Sequence, residues 1–164
     1  AIGDYVAAPV CYQFGDDIYV ADVVFDNSDK SVTQPLCVSM AKKHQIAAMK
    51  VEGTRMTAAY GENISAILKD NGLRVNVQIN TSHFTGNGKR QRIFDKAPDI
   101  REHLIFLEAG LRSKAYAQFM QQVFAFTVTG KSVKHDDAPD SLAMVVDFAF
   151  FNKVSRAEIV KRPF

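Results

Sequence analysis

The stretch YVAAPVCYQFGDDIYVADVVF, from Tyr5 to Phe25, decides the fold class of this chain. Two runs rich in aromatic and β-branched residues, 5–14 and 18–25, flank a turn signal that contains Gly15. Extended runs on either side of a glycine turn predict an antiparallel β-hairpin. The remainder of the chain must then supply the further strands and the helices that cover this hairpin.

Segments after the hairpin alternate between helical and extended patterns. Residues 32–44 and 57–70 predict two helices, with Pro35 tolerated only in a first turn. The apolar run 46–51 and the alternating run 73–79 predict two strands. Further on, the patterns predict a short strand at 103–106 and helices at 89–96 (interrupted by Pro98), 113–124 and 141–151. This order predicts an α/β fold with a mixed sheet, opened by the hairpin and flanked by helices.

Bulk properties are those of one ordinary domain. A chain of 164 residues with 47% hydrophobic residues suits a single domain, 1–164, with a real core. It contains no run of 18 apolar residues, so we expect no membrane span. No signal peptide is visible. Cys11 and Cys37 lie in apolar surroundings without CxxC spacing, which predicts buried free thiols in a reducing cytoplasm.

Charge is segregated along the chain, although the formal net charge is only +2. Residues 85–134 carry nine basic and four acidic side chains, a balance of +5, which leaves −3 for the remainder. A basic region beside an acidic one is the arrangement that a polyanion-binding metal site needs. The alternative is a solvated surface whose charge is uneven.

The stretch KHDDAPDSLAM, from Lys134 to Met144, places several ionisable groups directly before an apolar helix. One interpretation is structural, because Asp137 as N-cap and Asp140 in the first turn would complement the helix dipole. A cap needs one carboxylate, however, and does not account for His135 and Asp136. Carboxylates crowded together repel each other, and a divalent cation among them relieves that repulsion.

Two further carboxylates lie in separate segments. Glu52 follows the apolar run 46–51 and precedes Gly53, the place at a strand end where α/β sheets hold their sites. Asp4 precedes the first strand of the hairpin. Each has a simpler interpretation, as a surface loop residue or as turn chemistry. Carboxylates from separate segments are the ligands of Mg²⁺ or Mn²⁺, and two such ions about 3.5–4 Å apart cleave phosphodiesters.

HDDAPDSLAM resembles the closing motif of the nuclease domain of tailed-phage large terminase subunits, which reads HDD-x-x-D-ALA at the start of the last helix. Three other segments resemble the family's opening hairpin, its second acidic segment and its basic segment: AIGDYVAAPVCYQFGDDIYVADVVF, VEGTRMTAAYGENI and GKRQRIFDKAP. The four segments occur in the family order and span nearly the whole chain. The stretch HDDAPDSLAM also resembles a shorter motif found in Holliday-junction resolvases of the RNase H-like superfamily.

The resemblance implies an RNase H-like fold and a two-metal endonuclease that cuts concatemeric viral DNA during genome packaging. It implies that Glu52 and Asp137 are catalytic metal ligands, and that Asp140 and Asp136 are a further ligand or a supporting group. His135 is expected to position substrate or water, or to be structural. The expected cofactor is Mg²⁺ or Mn²⁺.

Asp4 matches the secondary aspartate of the family's opening motif. The family's first catalytic aspartate normally lies several residues upstream, before the position of Ala1. Either the chain is truncated at its N-terminus, or Asp4 must serve as the ligand in its place. The ATPase domain that precedes the family's nuclease domain is not expected within these 164 residues.

The resemblance also implies partners. Lys89, Arg90 and Arg92 match the family's basic segment and would contact DNA phosphates without reading bases, the alternative being a solvated helix face. Expected partners are double-stranded DNA, an ATPase domain of the same polypeptide, a portal protein and a small terminase subunit. The expected location is the host cytoplasm and not the virion. Two other functions stay open: a different RNase H-like nuclease such as a resolvase, and a non-catalytic DNA-docking module whose acids are helix caps.

Overall fold

The computed structural model describes residues 4–53, 58–80, 86–129 and 135–151. Its strands are β1 (Val6–Phe14), β2 (Asp17–Asp26), β3 (Ala48–Glu52), β4 (Asn76–Asn80) and β5 (Leu104–Phe106). Its α-helices are α1 (Lys30–His44), α2 (Ala58–Asp70), α3 (Gly86–His103), α4 (Lys114–Thr129) and α5 (Asp137–Val146). A 3₁₀ turn, Ala109–Leu111, follows β5, and a π-helical turn, Asp147–Phe151, continues α5.

The predicted hairpin is confirmed. β1 pairs antiparallel with β2, and the register shifts once, between Val10 and Cys11. Gly15 takes the turn with a φ of 61°, a left-handed conformation that glycine adopts without strain. β5 then adds to β2 in the parallel direction, with Leu104 opposite Ile18.

The strands are distributed over two sheets. One has the order β1-β2-β5, and the other pairs β3 with β4 in parallel, with Ala48 opposite Asn76. The predicted α/β class, with antiparallel and parallel strands flanked by five helices, is confirmed and is compatible with an RNase H-like fold. Where we expected one central sheet, the described residues form these two.

Two apolar clusters lie on opposite faces of β2. Its residues Val23 and Phe25 belong to a cluster with Phe119 of α4 and Leu142 of α5. Val24 belongs instead to the cluster formed with α1 and α2. Because successive side chains of a strand point to opposite faces, β2 holds both helical layers together. The layer of α4 and α5 carries the closing motif, and the layer of α1 and α2 flanks β3.

Cys11 and Cys37 are free thiols as predicted; Cys37 is buried, whereas Cys11 is partly exposed. Burial raises the pKa of the Cys11 thiol to about 12. No helix in the described ranges is long and apolar enough to cross a membrane.

Some predicted boundaries are wrong. α1 begins at Lys30, because Asp29 caps it by accepting from the Ser31 backbone N–H at 2.7 Å, so Pro35 lies beyond the first turn. α3 continues through Pro98. A proline removes one backbone donor, and the packing of α3 against α5 keeps the two parts in one helix.

Candidate active site

The closing motif folds differently from the predicted cap. α5 begins at Asp137, its N-cap is Asp136, and the Asp136 side chain makes no capping hydrogen bond. Asp137 accepts a hydrogen bond from the backbone N–H of Tyr5 at 3.0 Å. A side chain of α4 supplies an acceptor at the N-terminus of the helix instead. Ala138 donates its backbone N–H to Gln122 Oε1 at 2.6 Å. The interpretation of Asp137 as an N-cap is therefore wrong, and its carboxylate is turned towards the hairpin.

Asp4, His135 and Asp137 form one cluster. Each offers a ligand atom, and these atoms lie within 4.8 Å of one another. Ligands of a single ion with bonds of about 2.1 Å lie about 3–4.2 Å apart, so a small closure of the three side chains would enclose an ion. Asp4 is exposed, whereas His135 and Asp137 are partly buried, which leaves the cluster open to solvent on one side.

Tyr5 holds this cluster in place. Its ring stacks on Phe25 of β2, with centroids 4.3 Å apart, and meets the His135 ring edge-on at 5.7 Å. Its backbone N–H binds Asp137. One residue at the start of the hairpin thus fixes two members of the cluster and adjoins the third, Asp4.

A second group joins Glu52 at the end of β3 with Asp140 of α5 through Arg92 of α3. Arg92 donates from Nη1 and Nη2 to the two oxygens of Glu52 at 2.8 and 2.9 Å. It donates from Nε to Asp140 Oδ1 at 2.9 Å, and from Nη2 to both Asp140 oxygens at 2.6 Å. Burial alone favours the neutral form of Arg92, but the two carboxylates raise its pKa above the usual range. Glu52 and Asp140 therefore share one internal cation.

Lys89 connects the two groups. Its Nζ lies 3.7 Å from Asp137 Oδ1 and 3.9 Å from Asp140 Oδ2. Lys89 and Arg92 are three residues apart on α3, a spacing that puts them on the same helical face. Arg90 lies between them in sequence, on the same helix, and is half-buried.

Burial dominates the electrostatics of the two aspartates on α5. Desolvation raises the pKa of Asp137, although the Tyr5 N–H and the charge of Lys89 act in the opposite direction. Desolvation likewise raises the pKa of Asp140, against the hydrogen bonds and charge of Arg92. Burial penalises the charged form of both groups, and a bound cation would remove part of that penalty.

The donor set of Asp4, His135 and Asp137 fits a divalent metal ion. Two carboxylate oxygens suit Mg²⁺ and Mn²⁺, and an imidazole nitrogen suits the transition metals, so the mixed set favours Mn²⁺ over Mg²⁺. The pair Glu52 and Asp140 could hold a second ion only after Arg92 moved away from it.

Comparison of the chain with protein-family models and with curated proteins returned no match.

The fold brings all six acidic and histidine candidates to the N-terminal end of α5 or to residues joined to it, in two groups: Asp4, His135 and Asp137, and Glu52 and Asp140, with Asp136 at the helix cap. Of the three basic candidates, Arg92 lies between carboxylates instead of facing outwards. Sequence reasoning missed this, and it missed the contributions of the Tyr5 backbone and Gln122. For the position of Arg92, the indication in the sequence was its three-residue spacing from Lys89.

Proposed function

We propose that this chain is a metal-dependent endodeoxyribonuclease. The observation that carries the proposal is the meeting of Asp4, from the start of the hairpin, with His135 and Asp137, from the start of the last helix. A helix cap does not account for this donor set, because the Asp136 side chain makes no capping hydrogen bond and Asp137 accepts from the Tyr5 N–H instead. The resemblance of the closing motif to terminase nuclease domains supports the same activity.

Each residue has a task in this proposal. Asp4, His135 and Asp137 would hold a Mn²⁺ or Mg²⁺ ion, which supplies an activated water and stabilises the leaving oxygen of a phosphodiester. Lys89 Nζ, near Asp137, is placed to bind a phosphate oxygen. Tyr5 orients Asp137 and favours its charged form by donating its backbone N–H, against the effect of burial. Glu52 and Asp140 bind Arg92 and would thereby position the face of α3 that carries Lys89.

The test is divalent-dependent cleavage of a supercoiled plasmid by the purified chain. We expect nicking and linearisation with Mn²⁺, and none in EDTA. Asp137→Asn keeps the side-chain shape, removes the charge of a proposed metal ligand and should abolish cleavage. Glu52→Gln weakens the hold on Arg92 and should slow cleavage without abolishing it. Asp16→Asn, in the hairpin turn, is the matched control and should cut like the parent.

Two outcomes would contradict the proposal. One is cleavage by Asp137→Asn at the parent rate, and the other is a folded parent chain that binds Mn²⁺ and DNA without cutting. The second would favour a DNA-docking module. The specific observation behind that alternative is Arg92, which already pairs with both Glu52 and Asp140 without a metal.

The biological setting is proposed on the resemblance. We propose that the substrate is concatemeric double-stranded viral DNA in the host cytoplasm. We further propose that the domain acts with an ATPase domain of the same polypeptide, a portal protein and a small terminase subunit. A junction resolvase would instead be a dimer that prefers branched DNA, so cleavage of a four-way junction in preference to linear duplex would support that alternative.

A further inference from the structure

One group of large apolar side chains crosses all three strands of the larger sheet. Tyr12 of β1 lies opposite Tyr19 of β2, and Tyr19 lies opposite Ile105 of β5. Phe14 follows Tyr12 by two residues and therefore shares its face, and its ring meets the Tyr19 ring edge-on with centroids 5.9 Å apart. Residues opposite each other in a sheet have their side chains on the same face. We call these four side chains the aromatic patch.

The aromatic patch is open to solvent. Phe14 is 69% exposed, and the other three side chains are each at least 40% exposed. A single apolar side chain on a protein surface is ordinary, but a contiguous group of large ones marks an interaction surface. The exposure of the patch therefore points to a partner that covers it.

Helix α1 reaches the border of the aromatic patch and ends there. Ile18 and Val20, on either side of Tyr19, belong to the cluster formed with α4 and α5. Tyr19 therefore points to the opposite face, on which α1 packs. α1 ends at His44, whose backbone oxygen accepts the Tyr12 hydroxyl at 3.2 Å. The helix covers the sheet up to this contact and leaves the patch beyond it exposed.

Ring contacts order the aromatic patch before any partner binds. The Tyr12 ring meets the His44 ring edge-on, with centroids 5.9 Å apart, and the Tyr12 hydroxyl is bound to the helix end. Phe14 and Tyr19 support each other in the same way. Ordered side chains lose less conformational entropy on association, and aromatic rings are frequent among the residues that dominate binding energy. The patch is thus suited to association even though it is small.

Charges of opposite sign flank the aromatic patch along the strand direction. At one end lies the hairpin turn, where Asp16 and Asp17 are exposed. At the other end lies the last turn of α1, where Lys42 and Lys43 are exposed, and Lys43 also binds Asp22 of β2 at 2.8 Å. A two-fold rotation about an axis perpendicular to the sheet exchanges these two ends. The acidic end of one copy would then meet the basic end of another, so the surface is complementary to itself.

We propose that two copies of this chain associate through the aromatic patch, with their larger sheets stacked face to face about a two-fold axis. Sheets packed in this way lie about 10 Å apart, and the rings of the two copies fill the space between them. The patch is smaller than a standard interface, so we expect a dissociation constant on the order of 100 µM. The patch lies at the opposite end of β1 from Asp4 and Tyr5, and the association does not depend on metal binding or nuclease activity.

The test is sedimentation velocity of the purified chain in EDTA, over about a hundredfold range of concentration centred on the expected dissociation constant. We expect the weight-average sedimentation coefficient to rise from the monomer value towards the dimer value. Phe14→Ser removes the most exposed ring of the patch and should weaken association about tenfold. Phe124→Ser is the matched control, because Phe124 of α4 is also exposed, at 54%, and lies outside the patch. It should leave association unchanged.

Charge reversal tests the two-fold arrangement. Asp16→Lys combined with Asp17→Lys places like charges at both symmetry-related contacts, and so does Lys42→Glu combined with Lys43→Glu. Each double variant alone should associate about tenfold more weakly than the parent. In an equimolar mixture, the two variants present opposite charges at both contacts, so association should return to near the parent level.

Three outcomes would overturn the proposal. They are a parent chain that stays monomeric over the whole range, association that a folded Phe14→Ser retains at the parent level, and a mixture of folded charge variants that does not recover association. Circular dichroism checks the fold of every variant. The mixture decides the question even where Phe14→Ser does not fold, and a patch that serves another kind of partner would leave the purified chain monomeric.

Discussion

Arg92 donates to both carboxylate oxygens of Glu52, at 2.8 and 2.9 Å, although 40 residues separate the two in sequence. The same guanidinium binds Asp140 of α5. Three elements, β3, α3 and α5, therefore meet at one cation. This contact links the edge of the smaller sheet to the helix that carries the candidate metal ligands.

Removing this cation should destabilise the fold. Arg92→Gln leaves Glu52 and Asp140 partly buried without their shared partner, and we expect the free energy of unfolding to fall by about 3 kcal/mol. Urea denaturation measures it. Arg90→Gln, on the same helix, is the control and should change the free energy of unfolding little. An equal loss in the two variants would contradict the assignment of this stabilisation to the contacts of Arg92 with Glu52 and Asp140.

His135 should set the choice of metal. Imidazole nitrogen binds Mn²⁺ better than Mg²⁺, so His135→Ala should weaken Mn²⁺ binding by about tenfold and Mg²⁺ binding much less. Isothermal titration of both ions measures the ratio. His103→Ala, at the end of α3, is the comparison variant. An unchanged preference for Mn²⁺ would remove His135 from the ligand set.

Without a bound metal ion, burial of Asp137 should lower the free energy of unfolding as pH rises. The folded-state pKa of Asp137 is raised by burial, so its contribution to stability is fully present below the ordinary pKa of 3.8 and is lost as pH rises through the raised value. Asp137→Asn removes this titration and keeps an acceptor for the Tyr5 N–H. The variant should therefore gain stability relative to the parent between pH 3.8 and neutrality, measured by urea denaturation in EDTA. A constant difference across that window would contradict the assignment.

The basic face of α3 should bind DNA through phosphates. Lys89→Ala combined with Arg90→Ala should weaken binding to all sequences and reduce the slope of log K against log salt by about two. Fluorescence anisotropy at several salt concentrations measures both quantities. Lys114→Ala, at the exposed start of α4, should leave the slope unchanged. An unaltered slope in the double variant would move the DNA path elsewhere on the surface.

Local patterns were enough for most of the secondary structure. The hairpin, the end of α1 at His44 and the end of α2 at Asp70 follow from apolar periodicity, from Gly15 and from Gly72, which has a φ of 71°. The boundaries that were wrong depend on contacts outside the local window. Pro98 disfavours a helix in its local window, yet α3 continues through it and packs on α5.

Sequence by itself determined the α/β class, the free cysteines and the list of acidic and basic candidates, because these depend on composition, periodicity and short motifs. Only the tertiary structure decided their roles. It sorted five acidic and histidine candidates into an open cluster of Asp4, His135 and Asp137 and a pair, Glu52 and Asp140, that Arg92 joins. The physical reason is that charge compensation depends on distances of a few ångströms between segments far apart in the chain, and no local pattern encodes those distances.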